Sequence, residues 1–327
     1  MAINYGSGEL GDVTISSNTT VTQLRSYQNL TVNSGNTLTI PNGTVIQVQD
    51  TLDVQGTIQI QKRLGSGGGN HGGDAGGSAF IVAKNITGSG VIRADGSNGG
   101  TKNGNGNSEN KTWRSSGLPP VVAGKTTNVI KEGSSGGQDA SYNSGSGGAS
   151  SSGAVDRDLL SIWLDEWMVP SSHISQFPMA KLLSGGGGDG SEGGNDNSYN
   201  NNNGGAGGGG GAGGSFGGRG GNGGNGGNYN GGNGDGGDGG GGAGAGGLIV
   251  LVTDNLSSNI TTQARGGDGG GSGRDAGGGA GGGGGIVVAF TPGAQTPSYD
   301  VSGGNGTSGG NSGSEGVMLQ IPLSVVS

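Results

Sequence analysis

GGSAFIVAKNITGSGVIRADGSNGG, residues 76–100, returns with changed side chains as GGLIVLVTDNLSSNITTQARGGDGG, residues 246–270. A looser copy, GGIVVAFTPGAQTPSYDVSGGNG, occupies 284–306. Each copy has a glycine pair, about five apolar residues, a polar turn, a second short strand-like run and another glycine run. IQVQDTLDVQGTIQIQKRLGSGGG, residues 46–69, follows the same plan. A unit that recurs in this way belongs to one repeating architecture, so the glycine runs are part of the fold and not linkers between unrelated domains. The shared length and apolarity of 79–83, 248–252 and 286–290 predict neighbouring strands in one sheet.

Upstream, the short runs LTV (30–32), TLTI (37–40), TVIQV (44–48), TLDV (51–54) and TIQI (57–60) alternate apolar residues with Thr, Gln or Asp. That period of two marks half-buried strands. Asn-Gly, Ser-Gly and Gln-Gly pairs separate them, and the spacing is too short for helical crossovers. Close-spaced strands with small turns suit a β-solenoid or a β-sandwich. Leu38, Ile40, Val45, Val48, Leu52, Val54, Ile58 and Ile60 form the expected inward ladder.

The chain has 88 glycines in 327 residues, with 28% hydrophobic and 4% aromatic residues. Collagen is excluded by only 8 prolines and by the lack of an unbroken Gly-X-Y period. A conventional single-core enzyme lacks the apolar side chains it would need to bury. The absence of cysteine removes disulfides and thiolate metal sites. The net charge of −8 disfavours nucleic acid as a partner. No apolar run is long enough to span a membrane as a helix. The opening MAINYGSGELGDVT has neither a basic nor an apolar leader region, so the expectation is synthesis in a cytoplasm without a standard export signal.

Composition alone would allow disorder, but the glycines are unevenly placed: 6 lie in residues 1–64 and 36 in 185–247. Residues 217–228, GGRGGNGGNGGN, carry a side chain at every third position: Arg219, Asn222, Asn225 and Asn228. A left-handed helix with three residues per turn places those side chains on one edge, about 9 Å apart. The intervening glycines let backbones approach and exchange hydrogen bonds. The pattern predicts a polyglycine II bundle over 204–247 and 265–285. Glycine's large entropy loss on ordering has to be offset by lateral packing, so stacked layers of several helices are expected. The expected fold class is therefore mostly β and irregular. Strand-rich residues 1–64 precede a glycine-rich domain over 65–327, interrupted by an insertion at 101–184. Within it, AVDRDLLSIWLDEWMVP (154–170) predicts one short α-helix near 156–168, favoured at its start by Asp156 or Asp158 and stopped by Pro170. Its stripe of Leu160, Trp163, Leu164, Trp167 and Met168 either packs the insertion onto the glycine bundle or docks a partner.

Chemistry-bearing motifs are few. GGNGDGGDG from Gly231 superficially resembles a calcium repeat, but glycine follows Asp235 and Asp238 where an apolar residue is needed. His71 and His173 have no ligand-spaced companions. Asp156, Asp158, Asp165 and Glu166 are explained by helix-end charge and solvation, not by a paired-carboxylate hydrolase site. No catalytic, cofactor or metal residue is expected. DASYN (139–143), DNSYNNNN (196–203) and NYN (228–230) combine tyrosine with Ser and Asn between glycines, the composition of adaptable binding loops. Tyr142, Tyr199 and Tyr229, with Trp163 and Trp167, are the candidate receptor-binding residues.

Glycine islands at 204–247 and 265–285, alternating strands and polar-aromatic inserts together resemble the tail-fibre tip adhesins of T-even-like bacteriophages. The resemblance lies in architecture and composition over 65–316. It implies a stacked polyglycine II sandwich whose loops contact a host outer-membrane protein or surface glycan. Residues 1–64 and the AFIVA, LIVLV and IVVAF runs look more like β-solenoid segments of virion fibres, which implies attachment to other virion fibre or tail proteins through 1–64. The implied location is the virion, assembled in the host cytoplasm. The alternatives are a capsid or tail decoration fibre without receptor specificity, an ice-binding glycine-rich protein, against which the irregular Arg, Asn, Asp and Tyr edges argue, and a polysaccharide-degrading fibre, which the lack of a catalytic constellation disfavours.

Overall fold

Alternation becomes strand wherever apolar side chains occur at every second position. In β5 (Thr37–Ile40) and β7 (Thr57–Ile60), Leu38, Ile40, Ile58 and Ile60 are fully buried while Thr37, Thr39, Thr57 and Gln59 are half-buried on the other side. The computed structural model describes residues 3–22, 25–42, 44–62, 73–74, 76–100, 240–272, 276–293 and 295–323. Within them the chain is mostly β, its strand pairs are parallel, and no α-helix occurs.

The strands make two sheets, and the chain alternates between them. The first sheet has the path β1 (Asp12–Ile15), β4 (Asn29–Val32), β6 (Thr44–Val54), β8 (Ser78–Gly88), β10 (Leu248–Val252), β13 (Ile286–Thr291) and β15 (Val317–Pro322). β3 (Arg25–Tyr27) joins it on β6, and β11 (Asn255–Leu256) on β8. The second sheet runs β2 (Thr19–Thr20), β5, β7, β9 (Val91–Arg93), β12 (Thr261–Gln263) and β14 (Ser298–Asp300). Both orders follow the sequence, so successive passes of the chain extend both sheets side by side, nine strands in the first and six in the second among the described residues. The three shared apolar runs are neighbours: Ala79, Ile249 and Val287 are partners across β8, β10 and β13. The pairing of β6 with β8, from Thr44↔Ala79 to Val54↔Gly88, carries the first sheet across the change of composition near residue 64.

The TVIQV and TLDV runs form one strand, β6, with a register shift between Val48 and Thr51. Leu30, Leu38, Ile40, Val48, Leu52, Val54, Ile58 and Ile60 lie in the core between the sheets, together with Ile46, Ile81, Ile249, Leu251 and Val287. Val45 is a correction to the expected ladder. It belongs to a second apolar cluster with Phe80, Leu248, Val250, Val288 and Phe290. The period of two decides this, because Ile46 and Val48 face the core and Val45 must then face the other way. β10 and β13 are buried along their whole length, so the first sheet is apolar on both faces there. Fully burying such side chains is worth about 1.5–3 kcal/mol each, so an uncovered second face would be costly.

Beyond the second sheet the chain leaves in glycine-rich segments and returns through others to the first. Outgoing segments 94–100, 264–270 and 301–307 bond in parallel: Gly96 N–H donates to Arg265 O (2.8 Å), Gly99 to Asp268 O (2.9 Å), Gly266 to Ser302 O (2.9 Å) and Gly269 to Asn305 O (2.8 Å). Among returning segments, Gly240, Ala243 and Gly246 donate to Gly277, Ala280 and Gly283. Between outgoing and returning segments the sense reverses, since Gly279, Gly282 and Gly285 donate to Gly270, Gly267 and Ala264. Every series advances three residues per bond. None of these glycines has a positive φ. Where a segment must turn, Ser308 and Gly309 supply it with φ of 40° and 88°.

Candidate functional site

The sequence-selected residues Tyr142, Tyr199, Tyr229, Trp163 and Trp167 all fall between 101 and 239, outside the described residues. So do the 154–170 segment, His173, Asp235, Asp238 and the 204–239 part of the expected polyglycine II run, with its 217–228 phase, and His71 lies outside them as well. The structure fixes where this stretch is mounted. It departs after Gly100 and rejoins at Gly240, at the far end of the glycine segments. Gly241 N–H donates to Gly100 O (3.1 Å), and Gly270 N–H donates to Gly241 O (2.8 Å). Cβ atoms at Gly99 or Gly240 would collide with the backbones of Gly241 and Gly270. Departure and return are thus clamped side by side in a place that only glycine fits.

A second feature sits where the outgoing segments leave the second sheet. Asp95, nearly buried, accepts from Arg265 three times: from the backbone N–H (2.9 Å), from Nε to Oδ1 (3.3 Å) and from Nη2 to Oδ2 (2.8 Å). Arg93 Nε stands 3.5 Å from Asp95 Oδ2 and donates to Gln263 Oε1 (2.9 Å). Asp300 Oδ2 lies 3.8 Å from Arg265 Nε. Lys62 Nζ donates to Gly96 O (3.0 Å). The hydrogen bond to Asp95 strengthens the protonated form of Arg265, and burial opposes it. Burial lowers the pKa of Lys62, and the Asp95 and Asp74 carboxylates oppose that shift.

This cluster extends a polar row across the outer side of the second sheet, where Gln59, Arg93, Gln263 and Asp300 are register partners. The row continues into the glycine segments: Asn98 Oδ1 accepts from Asp268 N–H (2.9 Å), and Asp268 Oδ1 accepts from Asn305 N–H (2.8 Å). Chemically these are charge-assisted clamps that bind one pass of the chain to the next. Among the described residues no group of three or more His, Asp or Glu is placed to hold a metal ion, and no helix is long and apolar enough to cross a membrane. Sequence reading did not select Asp95 and Arg265. The signal was present, because aligning VIRADG (91–96) with TTQARG (261–266) sets Asp95 beside Arg265 and Ala94 beside Ala264.

Comparison of the chain with protein-family models, with curated proteins and with solved structures finds no match.

Proposed function

We propose that the protein is a virion structural protein, the receptor-binding adhesin of a bacteriophage tail fibre. In this reading the two parallel sheets are the faces of a β-solenoid. The glycine segments are polyglycine II helices stacked on one end of it, and residues 101–239 carry the receptor contacts. The observation that carries the reading is the clamp of Gly100 beside Gly241. Residues 101–239, which include the insertion at 101–184 and the Tyr/Asn runs at 196–203 and 228–230, begin and end at two adjacent points of the hydrogen-bonded glycine segments, the arrangement expected of a display scaffold. The three-residue hydrogen-bond advance and the absence of positive φ in the glycine segments support the polyglycine II assignment. The partner is a host outer-membrane protein or surface glycan, and residues 1–64 face other fibre or tail proteins. Function then rests on binding, without catalysis or a cofactor.

Replacing 101–239 by a short glycine-asparagine link tests the reading. The variant should keep the β spectrum of the intact chain and lose attachment to host cells. Retained attachment would exclude the insertion as the receptor-binding part.

A further inference from the structure

The core rows of both sheets run out to the surface at the last pass of the chain. Leu38, Ile58, Ile92, Thr262 and Tyr299 are register partners in one row of the second sheet. The first four are fully buried, and Tyr299 is 49% exposed. In the first sheet Ala79, Ile249, Val287 and Met318 make a matching core row, and Met318 is the member that is only half-buried. Among the described residues β15 is the terminal strand of that sheet. Val317 N–H donates to Gly285 O (3.0 Å). Val317, Leu319 and Ile321 therefore bond to β13, and the N–H and C=O groups of Met318 and Gln320 point away from it. Native edge strands are commonly blunted by a charge, a bulge or a proline, and residues 317–321 carry none of these.

We propose that this end is a two-fold interface with a second copy of the chain, in which the two β15 strands pair antiparallel about Leu319. The register is self-complementary. Met318 of one copy faces Gln320 of the other, and each such pair exchanges both backbone hydrogen bonds. Leu319 then lies beside its own copy and Val317 beside Ile321, which joins the apolar rows of the two molecules. The pairing has a natural limit, because Pro322 has no N–H and Gly316 N–H is already given to Val301 O (2.7 Å). That same bond sets β14 abreast of β15, so the axis that joins the β15 strands also brings the two Tyr299 side chains together. A head-to-tail stack would need an edge that is taken. At the other end of the first sheet, Ser26 shares the row of Ile321 through Phe290, Val252, Val82 and Gln47. Its carbonyl already accepts from Leu10 N–H (3.1 Å) of the N-terminal arm, residues 3–11. A two-fold contact closes at a dimer and does not grow into a filament. It also sends the glycine segments of the two copies in opposite directions. Under the adhesin reading, on which this last consequence alone rests, the dimer presents its two 101–239 stems at opposite ends.

Sedimentation velocity on the intact chain tests the interface without reference to host attachment. It should show monomer and dimer in concentration-dependent exchange and no larger species. Met318→Pro removes an outward N–H without breaking a bond to β13, and Tyr299→Glu sets like charges beside the axis. Each should raise the dimer dissociation constant at least roughly tenfold, with the far-ultraviolet β signal retained. Leu10→Lys, at the opposite end of the stack, should leave that constant unchanged. If Met318→Pro does not fold, Tyr299→Glu alone decides. A chain that stays monomeric at millimolar concentration would overturn the proposal. So would species larger than a dimer, or a dimer that survives Tyr299→Glu or is weakened by Leu10→Lys.

Discussion

At Gly282 the backbone has no room for a side chain, because a Cβ there would collide with the Gly244 carbonyl of the facing segment. The same residue donates its N–H to Gly267 and accepts from Gly304, so a shift would break two bonds at once. Gly267 and Gly304 are closed to a Cβ in the same way. Alanine elsewhere in a chain often stabilises by restricting the unfolded state. Here steric exclusion wins, and Gly282→Ala should cost roughly 3 kcal/mol of unfolding free energy, the upper range for overpacking. Asn311, exposed on a neighbouring segment, supplies the control, since Asn311→Ala should stay within about 0.5 kcal/mol. Chemical denaturation curves for the two variants decide it. Equal midpoints would mean that the layer is loose enough to admit side chains.

The N-terminal arm, residues 3–11, precedes the first strand and belongs to neither sheet. Gln47 Nε2 donates to Asn4 O (3.4 Å), and Gly8 N–H donates to Ser26 Oγ (3.0 Å), so the arm lies along the outside of the first sheet. Its Tyr5 hydroxyl is enclosed without a partner in bonding geometry, while the Asp254 carboxylate stands near enough to act on it. Burial first, and then that carboxylate, raise the phenol pKa above its ordinary 10.0. Burial raises Tyr27 in the same direction. A raised folded value means the native state holds a proton that the unfolded chain gives up. The associated stability is complete below pH 10 and falls as the pH rises above it. Thermal melts should therefore show alkaline destabilisation beginning near pH 10. Tyr5→Phe should reduce that slope, and an unchanged slope would remove Tyr5 from the account. The partnership of β8, β10 and β13 was legible in the sequence, since the three runs share length, apolarity and position relative to the glycine runs. The second face was legible only as continuous apolarity, which names no cover. Glycine pairing was not legible, because a uniform Gly-Gly string carries no side chain to label its register. That register is set at the sheet end by the buried Ala94, Ala264 and Val301.

Over the whole molecule, the strands fix the glycine segments, and the segments fix the points where 101–239 begins and ends. In the proposed adhesin reading, a scaffold braced in this way would lose little further conformational entropy on binding, so a few aromatic anchors within 101–239 would be enough for recognition. Tyr142, Tyr199 and Tyr229 are each flanked by Ser or Asn within polar runs, which gives their rings no apolar neighbour in sequence to join. Truncating an aromatic anchor typically costs about 2 kcal/mol or more, although such losses do not simply add. Alanine at all three tyrosines should leave the β spectrum and melting midpoint of the intact chain unchanged. Attachment to host cells should weaken at least by the roughly thirtyfold that about 2 kcal/mol represents. Quantitative cell binding by the purified triple variant measures this directly. A variant that folds and binds with full affinity would make the tyrosine tips ordinary solvated turns. The search for the receptor contacts would then pass to other residues of 101–239, beginning with Trp163 and Trp167.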